Sequence, residues 1–164
     1  MADPRDDAPP ERDLETVFRA LAPAVLGYLR SSGVPDGDEL LGDVFLAIAA
    51  RLDRFHGDDD ALRRWVFTIA HHKVVDERRR IFRRHRARSG HAALVPPPSE
   101  PVDTDLLAAI ATLTRDQREV IALRFVADLS LETVAAMTGR TVGATKALQH
   151  RALDALARQL NSRQ

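Results

Sequence analysis

Apolar residues recur at steps of three and four along most of the chain, the spacing that lines up one face of an α-helix. Leu14, Val17, Phe18, Leu21, Val25, Leu26 and Leu29 form a first stripe. Pro23 falls inside it and predicts a kink or a split, because proline lacks a backbone donor and its ring crowds the preceding turn. The run Ser31-Ser32-Gly33-Val34-Pro35 predicts the end of that helix. Leu40, Leu41, Val44, Phe45, Ile48 and Leu52 make a second stripe, with Asp36 or Asp38 placed to cap it. Arg54–Asp60 has no apolar face and contains Gly57, so it reads as a loop. A third helix is predicted from Ala61 through Leu62, Trp65, Val66, Ile69, Ala70 and Val74 as far as Arg84.

Residues 89–104 break the pattern with four prolines, a glycine and no period, and read as an extended, flexible joint. Shorter helices are predicted beyond it. Leu106, Leu107, Ile110 and Leu113 mark one, Arg115–Ala127 a second, Leu131–Thr138 a third, and Val142 to Leu160 a longer fourth. No segment alternates in the manner of a strand, and no Asn-Gly or Asp-Gly hairpin turn is present. The predicted fold is all-α. Two small helical bundles, residues 12–88 and 105–164, flank a flexible Pro-rich linker, and residues 1–11 form an acidic tail expected to be disordered.

Within the second bundle, Ser130–Ala152 has the pattern of a helix-turn-helix. Ser130 can cap a short helix, although Thr133 leaves the capping box incomplete. Ala135 is small where a second helix must cross closely, and Gly139 suits the left-handed turn. Thr141 can cap the next helix, with Val142, Leu148 and Ala152 expected to face inward. Arg140, Thr141, Ala144, Lys146, Ala147, His150 and Arg151 lie off that stripe and are the candidates to face a DNA groove. An ordinary helical hairpin with a cationic outer face would show the same pattern.

Charge adds a second pattern. The 24 basic and 24 acidic residues cancel, but they are sorted into blocks. Residues 36–60 hold eight acids against Arg51 and Arg54, whereas residues 71–91 hold Lys73 and seven arginines against Asp76 and Glu77. Such blocks present separate fields to separate partners, and the cationic one favours nucleic acid over a merely solvated face. With no cysteine, thiol chemistry and cysteine-ligated metals are excluded. No apolar run is long enough for a bilayer and the acidic N-terminus is wrong for a signal peptide, so a soluble cytoplasmic protein without membrane insertion is expected. An enzyme reading would rest on His56, Asp58, Asp59, Asp60, His71 and His72. Adjacent histidines on a helix point to different sides, and the aspartates suit a loop end and a helix cap. No metal, cofactor or catalytic residue is expected.

The stretch Asp38–Phe55 (DELLGDVFLAIAARLDRF), followed by Ala61–Arg80 (ALRRWVFTIAHHKVVDERRR), resembles conserved region 2 of bacterial sigma factors. Leu113–Leu160, with LTRDQREVIALRF before LSLETVAAMTGRTVGATK, resembles their region 4. Two blocks in this order with only a short joint are similar to the extracytoplasmic-function (ECF) group.

That resemblance implies a promoter-specificity subunit that binds the RNA polymerase core at the β′ clamp helices and β flap, recognises promoter DNA and performs no bond chemistry. Asp43, Phe45, Leu46, Ala47 and Arg51 would meet the polymerase, with Val44 and Ile48 as core. His56, Trp65, His72, Lys73, Arg78, Arg79 and Arg80 would meet the downstream promoter element, where a base is flipped from the stack. Trp65 reads first as a core residue, and His72 stands where the family often has Asn. Arg124 and Glu132 would lie near the phosphates of the upstream element, and Arg140, Thr141, Ala144, Lys146, Ala147, His150 and Arg151 at the element itself. The family commonly has apolar residues at Arg140 and Thr145, and a basic residue where Leu148 and Leu153 stand, so this recognition helix is less basic than usual. An anti-sigma partner is also implied. The alternative is a stand-alone helix-turn-helix regulator, which would need only residues 104–160 and would bind duplex tightly without polymerase.

Overall fold

A computed structural model describes residues 12–87 and 104–161. The acidic tail 1–11 and nearly all of the Pro-rich joint lie outside them. Helix α1 (Leu14–Ser31) starts at Asp13, whose carboxylate accepts the Thr16 N–H at 2.7 Å and the Thr16 hydroxyl at 2.8 Å. These bonds, the backbone one first, hold the Asp13 carboxyl below its usual range. The expected split at Pro23 does not occur: α1 runs through it as one helix. Pro23 sits on the exposed side, where the Arg19 carbonyl it leaves unbonded can face water.

Helix α2 (Gly37–Ala49) takes Asp36 as its cap, with the Glu39 N–H at 3.2 Å from the carboxylate. A single 3₁₀ turn, Leu52–Arg54, follows. Helix α3 (Asp59–Ala87) begins earlier and ends later than the apolar stripe predicts. Asp58 explains the start, since its carboxylate accepts the Ala61 N–H at 2.7 Å. Acids in the first turn and Arg84, His85 and Arg86 in the last suit the helix dipole at both ends. The expected loop therefore shrinks to residues 55–58.

In the second half, α4 (Thr104–Ala111) is followed by α5 (Arg115–Ile121), which opens on a full capping box between Thr114 and Gln117. The single helix expected over Arg115–Ala127 instead loosens into a π turn at Ala122–Val126, where the Ala127 N–H bonds the Ala122 carbonyl at 3.0 Å. Helix α6 (Leu131–Thr138) is capped by Ser130 and ends at Gly139, left-handed at φ 67°. Helix α7 (Val142–Asn161) is capped by Thr141, whose hydroxyl accepts the Ala144 N–H at 3.2 Å. Val142 does not face inward as expected, being 42% exposed. The inward stripe starts one turn later at Thr145, which is fully buried and returns its hydroxyl proton to the Thr141 carbonyl.

Among the described residues the fold is all-α, with no strand. Tyr28, Leu29, Ile48 and Phe67 from the first half and Leu123 from the second are fully buried, and the apolar core is continuous across both halves. Tyr28 meets Phe67 edge-on at 6.0 Å. Val120, Ala122, Leu123, Ala127, Leu129 and Val134 join residues of α1–α3 in that core. Each fully buried valine, leucine or isoleucine side chain among them contributes about 1.5–3 kcal/mol. Gly27 lies close to the second half, where an added Cβ would stand 3.2 Å from Val126 Cγ1.

Candidate nucleic-acid interface

The Gly139 turn sets α7 behind α6 with one face turned outward. Thr141, Ala144, Lys146, Ala147, His150 and Arg151 are all exposed there. His150 Nδ1 lies 3.5 Å from Asp154 Oδ2, and Arg151 Nε donates to the Ala147 carbonyl at 3.2 Å. Glu132 is exposed on α6. Arg124, expected near phosphates, has work inside the fold. Its Nε donates to Gln149 Oε1 at 3.0 Å and another N–H donates to the Leu129 carbonyl, tying the π turn to α7. Arg140 is withdrawn too, pairing with Asp116 at 3.0 Å and Glu119 at 3.4 Å.

The second group lies on α3 and the loop before it. Trp65 is half-buried against the core and stacks on Phe55 with ring centroids 5.0 Å apart, in keeping with its reading as a packing residue. His56 is exposed, its Nδ1 2.9 Å from the Arg54 carbonyl oxygen. Arg12 clamps this loop: it donates to the Gly57 carbonyl at 2.6 Å and to Asp59 at 2.8 Å, and lies over the Phe55 ring. Gly57 has φ +156°, and a Cβ there would meet Ala61 Cβ at 2.8 Å. Only glycine fits. His72, Arg79 and Arg80 are exposed and Lys73 is half-buried. Arg80 pairs with Glu77 at 2.8 Å, which offsets part of its field.

On α2, Asp43 and Leu46 are exposed and Ala47 is half-buried, and Arg51 is exposed just beyond the helix end, but Phe45 is not available to a partner. It is buried and packs edge-on against Phe18 at 4.7 Å. Leu46, in contrast, is 71% exposed.

Sequence reasoning missed one cluster altogether. Glu119 of α5 is 5% exposed, and Arg78 Nη1 donates to its Oε1 at 3.0 Å. His71 Nδ1 stands 3.8 Å from the same oxygen and 3.0 Å from the Tyr28 hydroxyl. Burial lowers the affinity of His71 for a proton, with the charges of His72, Arg78 and Arg140 adding and Glu119 opposing. Burial and then the Glu119 charge push the Tyr28 phenol far above its usual range. Both directions suit a Tyr28 O–H donating to a neutral imidazole.

The residues of the enzyme reading do not converge. Asp58 caps α3, Asp59 is held by Arg12, and His71 is buried while His72 is exposed. Among the described residues no three His, Asp or Glu side chains gather as metal ligands, and no helix is long and apolar enough to cross a membrane.

Two family descriptions match the chain: Sigma-70 region 2 over residues 17–85, and Sigma-70, region 4 over residues 109–158. The chain is also 30% identical over 162 residues to the ECF RNA polymerase sigma factor SigD of Mycobacterium tuberculosis, covering 87% of this chain and 74% of that protein. The chain belongs to the ECF RNA polymerase sigma factors. This ECF sigma factor is similar as well to RpoE of Cereibacter sphaeroides, at 29% identity over 98% of this chain and 91% of the other. Its fold is similar to the sigma factor RpoE of Bartonella quintana, solved in complex with the anti-sigma factor NepR, with a TM-score of 0.72, 25% identity, and coverage of 91% and 97%. In this ECF sigma factor, region 2 falls on α1–α3 and region 4 runs from the end of α4 into α7. The Glu119 cluster joins the two.

Proposed function

We propose that this ECF sigma factor docks on core RNA polymerase through the outer face of α2 and the turn that follows it, with Asp43, Leu46 and Arg51 as contacts and Ala47 at their edge. Leu46 carries the reading: at 71% it is the most exposed of the large apolar side chains among the described residues, and it shares this surface with Asp43. Phe45 serves instead by anchoring α2 from behind.

The downstream promoter element lies along α3 and its preceding loop. His56, His72, Lys73, Arg79 and Arg80 face the unpaired strand, and Trp65 supports the loop through Phe55. The outer face of α7 reads the upstream element, with Lys146 and Arg151 supplying positive charge and Thr141, Ala144, Ala147 and His150 the remaining contacts. Region 4 also meets the β flap. The protein makes and breaks no bond and works in the cytoplasm. An anti-sigma partner holds it inactive, a reading supported by the Bartonella relative solved with its own anti-sigma factor.

Transcription with purified core polymerase on chromosomal fragments tests this function. Transcripts with defined starts are expected only when the chain is added. No stimulation on any fragment would contradict it.

A further inference from the structure

The two surfaces assigned to promoter DNA meet at one buried side chain. Arg78 projects from α3 in region 2, and Arg140 precedes α7 in region 4. Both guanidinium groups end on the carboxylate of Glu119, at 3.0 and 3.4 Å. Burial shields these pairs from salt far better than surface pairs are shielded. Arg140 also pairs with Asp116 at 3.0 Å, a carboxylate that Arg115 approaches at 3.8 Å. Arg78 is aimed from its own side by a second bond, from Nη2 to the Ser32 carbonyl at 2.8 Å.

A carboxylate offers a guanidinium the same pair of acceptor oxygens that a DNA phosphate offers. We infer that Glu119 is an internal phosphate mimic, which latches region 4 onto region 2 in the free chain and withholds Arg78 and Arg140 from DNA until the halves part. The inference rests on the proposed promoter-binding role for its consequence, while the latch itself rests on geometry. The apolar core also crosses this boundary, as do Arg63, which donates to the Ala127 carbonyl at 3.4 Å, Gly27 against Val126, and His71, 3.8 Å from Glu119. Among these contacts only Glu119 offers a carboxylate. Glu119 is therefore where a polyanion such as a promoter duplex competes with the closed form.

The absence of cysteine lets introduced thiols report and control the latch. Ala20→Cys with Ala157→Cys, both at exposed positions, carry a donor and an acceptor dye for single-molecule distances. One short-distance population is expected for the otherwise native chain. Glu119→Gln should raise the open fraction about tenfold, with helicity by circular dichroism unchanged. Separately, Gly27→Cys with Val126→Cys places two sulfurs across the boundary within bridging reach. Oxidised, this chain should lose promoter-dependent transcription with core polymerase, and dithiothreitol should restore it. Glu119→Gln dyes at the native separation, or an oxidised chain that initiates as well as its reduced form, would overturn the latch. No transcripts from any form, native included, would overturn the promoter-binding role, and the dye distances would still decide the latch.

Discussion

Glu119 Oε1 and Arg78 Nη1 lie 3.0 Å apart although one belongs to region 4 and the other to region 2. A buried carboxylate between two arginines is worth little relative to an apolar substitute, but breaking the set leaves charges without partners. Glu119→Ala should therefore lower the free energy of unfolding by about 3 kcal/mol, and Glu119→Gln by less, because its amide oxygen still accepts a bond. Urea titration of the full chain measures both.

Acid should weaken the same junction through His71. Burial depresses its proton affinity below the usual imidazole value, while Tyr28, Glu119, His72, Arg78 and Arg140 surround it. The unfolded chain then binds the extra proton more readily. Stability should be complete above about pH 6.5 and fall as pH drops below it. Urea midpoints measured on both sides of that value should differ for the native chain, and His71→Gln should flatten the difference.

Gly57 should tolerate no side chain. With φ +156° and Ala61 Cβ only 2.8 Å from an added Cβ, Gly57→Ala forces the loop off Phe55 and the start of α3. A loss of about 1–3 kcal/mol in stability is expected. Promoter opening, followed by fluorescence of a base analogue in the downstream element, should slow more than duplex binding does.

On α7, Lys146→Ala and Arg151→Ala should each weaken binding across all promoter sequences and reduce the salt dependence by about one phosphate contact. Affinities measured across a salt series with polymerase present would show it. A change in sequence preference at constant salt slope would assign that residue to base reading instead.

The helices were legible because their apolar stripes are local. Caps at Asp36, Ser130 and Thr141, and the left-handed Gly139, followed from residue type. The exposed row on α7 followed from helical phase. Pro23 does not split α1 because its cost depends on which side faces water, and that depends on packing. Phe45 was misleading because α2 is apolar on more than one face, and Phe18 decides which side is covered. The π turn escaped because Arg124 is tied to Gln149, far along the chain. Glu119 escaped for the same reason: nothing local says that an acid beside Val120 will be buried under Arg78 of α3 and Arg140 of the turn before α7. The signal that could have found it is its place next to the apolar stripe of α5, where an exposed charge has little room.

Direct association with the polymerase tests the central claim most sharply. A labelled chain titrated with bacterial core enzyme should bind saturably, one chain per enzyme. Leu46→Glu should weaken that binding at least about tenfold, as loss of a buried apolar anchor does, while leaving the fold intact. No measurable binding of the native chain, with any inhibitor removed, would contradict the account.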